Sequence, residues 1–160
     1  MHDNNFNKAV MKDAINYAKI TSKDRIGGPF GAAIVKDGEV VCIESNRVLA
    51  DKDPTAHAEV TAIRAACKKL GTHDLSGCVL YATGYPCPMC LSAAIWANIK
   101  EVYYCNDLTA AENIGFRDDH IYTYIKEGCD NSEVLHIKHL PLAEGQELMD
   151  EYANRKREIY

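Results

Sequence analysis

Apolar residues recur at Phe6, Val10, Ala14, Tyr17 and Ala18, three or four positions apart, the period of one buried face of an α-helix. That helix ends before the turn GGPFG (Gly27 to Gly31), where glycines and a proline interrupt it. The pattern then changes. From Phe30 to Ser45 the run FGAAIVKDGEVVCIES has two β-rich segments flanking Asp37-Gly38, a strong hairpin signal. With Asp53 as N-cap and Pro54 in the first turn, PTAHAEVTAIRAACKKL predicts a helix that Gly71 stops.

Further along, CVLYAT (Cys78 to Thr83) reads as a short apolar strand, PMCLSAAIWAN as a helix that Pro88 can begin, and EVYYC as another strand. A loop from Asn106 to Arg117, a short helix DHIYTYIKE, a last strand EVLHIKHL and a terminal helix from Leu142 to Ile159 complete the chain. A hairpin followed by strands alternating with helices predicts an α/β layered domain with a mixed sheet. No linker, repeat or low-complexity run divides the 160 residues, which read as a single domain, 1–160.

Charge and cysteine usage narrow the function. The net charge of −5, from 18 basic against 23 acidic residues, repels a phosphate backbone, so no nucleic-acid partner is expected. The cluster Arg155, Lys156 and Arg157 is interleaved with acids and reads as a solvated face. The polar stretch His2 to Asn7 does not resemble a secretory signal, and no apolar run is long enough to cross a bilayer, so a cytoplasmic protein without membrane contact is expected. Seven cysteines at scattered spacings form no pairing framework. Cys42, Cys67, Cys78 and Cys105 lie in apolar segments and read as buried, inert thiols. Cys87 and Cys90 are different.

PTAHAE and PCPMC each open a helix directly after a loop. His57 and Glu59, two apart, point to different sides of a helix and can serve one centre only beyond its end. Free N–H groups and the positive end of the dipole sit there and help to hold cysteines as thiolates. One neutral histidine and two thiolates balance the charge of Zn2+, fill three of four tetrahedral positions and leave the fourth for water, as catalytic zinc sites do. Glu59 is then placed to take the proton of that water. A Cys-x-x-Cys alone fits a thiol redox pair equally well, but such a pair has no use for His-Ala-Glu. His-x-Glu followed by Pro-Cys-x-x-Cys is the known signature of zinc-dependent base deaminases.

TAHAEVTAIRAAC together with PCPMC resembles the cytidine and deoxycytidylate deaminase superfamily, and GGPFGAAIVKDG, DPTAHAEVTAIR, PCPMCLSAAIWA and GFRDDHIY are similar to its bacterial guanine deaminases. The resemblance runs from about Ile26 to Tyr122. It implies a three-layer α/β/α cytidine-deaminase-like fold, Zn2+ held by His57, Cys87 and Cys90, Glu59 as proton shuttle, and hydrolysis of guanine to xanthine and ammonia. It also implies that Asn46 hydrogen-bonds the purine, that Phe30 walls the base pocket and that Asp118 is a second acid near the exocyclic amine. A homodimer with exchanged C-terminal segments follows from the same resemblance, the final residue, Tyr160, closing the neighbour's pocket.

Taken singly, several of these residues have plainer readings: Asn46 as a turn residue, Phe30 as core, Asp118 as a helix cap, Tyr160 as a frayed end. Trp96, beyond the cysteines, reads as packing. One position departs from the family, which usually carries glutamate directly before Pro-Cys where this chain has Tyr85. A neutral phenol there changes the hydrogen bonding and charge beside the pocket and leaves the metal ligands untouched. Cytosine, cytidine, guanosine, a pterin or a triazine as substrate, a tRNA adenosine deaminase, and a zinc-stabilised module without catalysis stand as the alternatives.

Overall fold

The structure, a computed structural model, describes residues 4–156, 158 and 159. Its elements are α1 (Asn4–Lys23), β1 (Gly31–Lys36), β2 (Glu39–Ser45), α2 (Val48–Asp51), α3 (Ala58–Leu70), β3 (Cys78–Gly84), α4 (Pro88–Trp96), β4 (Glu101–Asn106), α5 (Leu108–Glu112), α6 (Asp119–Lys126) and α7 (Ala143–Ala153). They form two compact units, Met1–Asp118 and Asp119–Tyr160.

The first unit is built on a four-stranded sheet of order β2-β1-β3-β4. β1 runs antiparallel to β2 and to β3, and β3 runs parallel to β4, so the sheet is mixed. Asp37 and Gly38 turn the β1–β2 hairpin with φ of 51° and 82°, the pair of positive values that a two-residue turn matched to strand twist needs. β1 is central and buried on both faces. Its alternation sends Ala33 and Val35 to a cluster with Val10 of α1, Val79 and Tyr81, and sends Ala32 and Ile34 to a second cluster with Ala58, Ala62 and Ala66 of α3 and Ala94 of α4. Helices therefore cover both faces, in the three α/β/α layers expected. Full burial of a side chain such as Ile34 contributes about 1.5–3 kcal/mol. At Gly31 a Cβ would collide with the Ala14 carbonyl, so glycine there allows α1 to lie directly on β1.

The helix that carries His57 starts later than its sequence predicts. Asp53 Oδ1 accepts the backbone N–H of Thr55 at 2.8 Å and its hydroxyl at 2.7 Å, a local turn that competes with capping. His57 is the N-cap instead, and Ala58 the first helical residue. Gly71 ends α3 in the left-handed region as expected, with φ of 68°. The loop from Asn106 to Arg117 contains a short helix, α5, whose N-cap Asp107 accepts the Ala110 N–H.

The second unit departs further. The expected strand EVLHIKHL is a turn followed by irregular chain, because a strand needs a neighbour's hydrogen bonds and residues 133–140 pair with none of the described strands. The terminal helix is shorter than expected, Ala143–Ala153. Cys105 is exposed on the edge strand β4 rather than buried, whereas Cys78 is buried and Cys42 and Cys67 are half-buried. Trp96, expected to pack, is 71 % exposed.

Candidate metal centre and active site

His57 and Cys87 hold equivalent places. Each is the N-cap of its helix in extended conformation, with φ, ψ of −64°, 155° and −66°, 168°. An N-cap side chain faces the free N–H groups at a helix end, so α3 and α4 bring one donor each to a point beyond both N-termini. Pro88, following Cys87, suits the first position of α4, where its missing N–H costs nothing. Cys90, in the first turn of α4, supplies the third donor.

The Sγ atoms of Cys87 and Cys90 stand 3.5 and 3.6 Å from His57 Nδ1, and the three donor atoms lie within 4.8 Å of one another. Since Nδ1 faces both sulfurs, it is the nitrogen offered to a metal. Hydrogen bonds from Cys90 and His57 hold the Cys87 thiol down to about 4 against the effect of burial, while donation to Cys87 together with burial pushes Cys90 up. The hydrogen bond to Cys87 and the negative charge of its thiolate in turn raise His57, against the opposing effect of burial. A dication held by these groups would favour both sulfurs as thiolates. Two thiolates and one imidazole fit zinc in charge, softness and number, with one position left open.

Glu59 follows in the first turn of α3 and is only 8 % exposed. Burial pushes its carboxyl up, a shift that a hydrogen bond with Cys90 partly offsets. A carboxyl in contact with a metal donor and biased toward its neutral form can take up and return a proton. Asp118, half-buried, lies close enough for its charge to raise His57.

Asn46 is buried, and its Oδ1 accepts the N–H groups of Gly28 and Val48. Arg47 N–H donates to Ala56 O at 2.9 Å, tying this strand end to the segment that carries His57. Phe30 meets Phe116 edge to face at 5.0 Å. It also lines a cavity of about 210 Å3 together with Pro29, Gly84, Asn106, Asp107 and Ala110, a space that none of the three metal donors lines. Phe116 has no distinguishing signal in the sequence beyond standing two residues before Asp118. Tyr85 follows the end of β3, 38 % exposed, with its ring edge to face against Tyr104 at 5.0 Å and its N–H donated to Asn106 O at 2.8 Å. Tyr160 lies outside the described residues.

The family model of the cytidine and deoxycytidylate deaminase zinc-binding region matches residues 4–106, the span that contains all three donors and Glu59. The chain belongs to this family. It is 46 % identical over 127 residues to the guanine deaminase of Bacillus subtilis, covering 79 % of this chain and 81 % of that one. The crystal structure of a guanine deaminase from B. subtilis superposes with a TM-score of 0.87 at 40 % identity, over 96 % of this chain and 97 % of that one. A tRNA-specific adenosine deaminase of Aquifex aeolicus is 37 % identical over 129 residues, 81 % of this chain and 82 % of the relative. As a cytidine and deoxycytidylate deaminase family member, the chain is a zinc-dependent hydrolase, and the His-Cys-Cys cluster fits that metal. Among the described residues, no helix is long and apolar enough to cross a membrane.

Proposed function

We propose that the chain is a guanine deaminase that hydrolyses guanine to xanthine and ammonia, acting as one deaminase domain over residues 1–160 in the cytoplasm. The observation that carries the chemistry is a His57/Cys87/Cys90 donor set with a buried carboxyl, Glu59, in contact with one of its members. Similarity to the B. subtilis enzyme supports the choice of base.

His57 Nδ1 and the two sulfurs would hold the zinc, which when bound would supply a Lewis acid and bring the pKa of a water toward neutrality. Glu59 takes the proton of the attacking water on a carboxylate oxygen and passes it to the ring nitrogen beside C2. A C–O bond forms at C2; the proton of the new C2 hydroxyl is then taken up by Glu59 and reaches the exocyclic amine from Glu59 or by way of Asp118, so that the C2 carbonyl forms as the C–N bond breaks and ammonia leaves. Burial of Glu59, which favours its protonated form, suits it to hold the proton between transfers. Asn46 donates to the base, Phe30 walls it and Tyr85 borders it.

The active form is a homodimer with exchanged C-terminal segments, in which Tyr160 of the partner subunit closes the pocket. What supports this is the amount of uncovered apolar surface. In Asp119–Tyr160 only Tyr124 is buried among the described residues, and Leu135, Ile137, Leu140, Leu142 and Leu148 are all exposed. In the first unit Ile95, Trp96 and Tyr104 are exposed as well. Surface of this kind marks an interface.

Ammonia release by zinc-loaded protein across guanine, guanosine, adenine, cytosine, cytidine and aminated pterins and triazines tests the assignment. Guanine clearly ahead is the expected result. Guanine inert while another ring is turned over would keep the zinc chemistry and overturn the substrate.

A further inference from the structure

Asn46 is 5 % exposed, and its Oδ1 accepts two backbone N–H groups, from Gly28 at 3.2 Å and from Val48 at 3.1 Å. A backbone N–H can only donate, so the atom facing both must be the oxygen, and the carboxamide cannot flip without losing both bonds. Nδ2 therefore points away from them and makes no hydrogen bond among the described residues. A nearly buried amide with unused donors gains most from a ligand that brings an acceptor. Gly27 makes room for this arrangement. It is buried, and a Cβ there would collide with both the backbone oxygen and Oδ1 of Asn46. The frame is fixed on both sides, since Asn46 N–H donates to Phe30 O at 2.9 Å and Arg47 N–H to Ala56 O.

We propose that Gly27 is a positioning residue that locks the Asn46 carboxamide as a donor only. The site thereby selects bases that turn a carbonyl oxygen or an unprotonated ring nitrogen toward Nδ2 and rejects those that turn an amine or a ring N–H there. This rests on the reading of Asn46 as a base-binding residue. Discrimination of this kind is large because a mismatched ligand leaves buried polar groups facing each other unpaired.

The test compares Gly27→Ala and Asn46→Asp in the zinc-loaded full chain, reading KM and kcat for guanine, zinc content and Tm. Gly27→Ala is expected to raise KM about tenfold or more, the loss of a positioned hydrogen bond to a buried group, with zinc and kcat close to wild type. Asn46→Asp keeps an acceptor for Gly28 and Val48 but replaces the donor, so KM rises at least as far. If either variant fails to fold, the other decides. Independently of both, the Asn46 Nδ2–H resonances of 15N-labelled wild type should shift when xanthine is added. An unchanged KM in a folded, zinc-loaded variant, or unmoved Asn46 resonances under saturating xanthine, overturns the proposal. Wild type that does not deaminate guanine would instead refute the substrate assignment, which separates the two failures.

Discussion

The two units of the chain satisfy their apolar residues in opposite ways. In Met1–Asp118 the sheet is covered on both faces, and residues such as Ile34, Leu80 and Tyr81 are fully buried. In Asp119–Tyr160 Ile137 and Leu140 are 65 % and 80 % exposed, although they are as apolar as anything in the core. The first unit places a metal centre with its own residues, whereas among the described residues of the second only Tyr124 is buried. The proposed chemistry and the proposed assembly thus draw on different parts of the chain, and each can be tested alone.

The largest effect is expected at Glu59. If the first unit holds the proton-transfer apparatus, Glu59→Gln should lower kcat by about 10²–10⁴-fold, the usual contribution of a positioned acid–base group. Zinc content, measured by atomic absorption, should match wild type, because the metal donors are His57, Cys87 and Cys90. Near-normal turnover at full zinc occupancy would remove Glu59 from the mechanism. Loss of zinc along with activity would instead make it a support for Cys90, which it touches.

Leu140→Asp addresses the other side of the comparison. In an isolated chain the substitution falls on an exposed position and should hardly affect stability. In an exchanged dimer it places an unpaired charge in an apolar contact, which costs about 3 kcal/mol or more and weakens association roughly a hundredfold. Sedimentation equilibrium should show the dimer dissociating while zinc stays at wild-type level. A dimer of unaltered affinity would mean that this segment lies outside the interface.

The same division governs what the sequence discloses. Asp37-Gly38, Gly71 and Pro88 mark their turn, stop and start because each depends on a backbone preference of the residue itself. Asp53 misleads because its side chain has two local uses, and the turn with Thr55 prevails over the cap. That shift brings His57 to the helix end, where it can face Cys87. Residues 133–140 carry a strand-like pattern without a strand, since pattern reports preference and pairing requires a neighbour. The metal donors are legible because their spacing mirrors the helix starts. The contact of Glu59 with Cys90 and the packing of Phe116 on Phe30 are not, because they join segments about 30 and 86 positions apart through tertiary packing alone.

Tyr85 stands between the two regimes, in the first unit but partly exposed, and it is expected to give the smallest effect. Tyr85→Phe keeps the ring, and with it the edge-to-face contact with Tyr104, and removes only the hydroxyl. One neutral hydrogen bond contributes about 0.5–1.5 kcal/mol, so kcat/KM for guanine should fall roughly two- to tenfold if the phenol meets the base. The split between parameters carries the argument: a rise in KM with kcat unchanged indicates uniform binding, and an equal fall in kcat and kcat/KM indicates contact made only in the transition state. If neither parameter moves, Tyr85 makes no contact with the base and belongs with Trp96 and Tyr104 among the exposed aromatics.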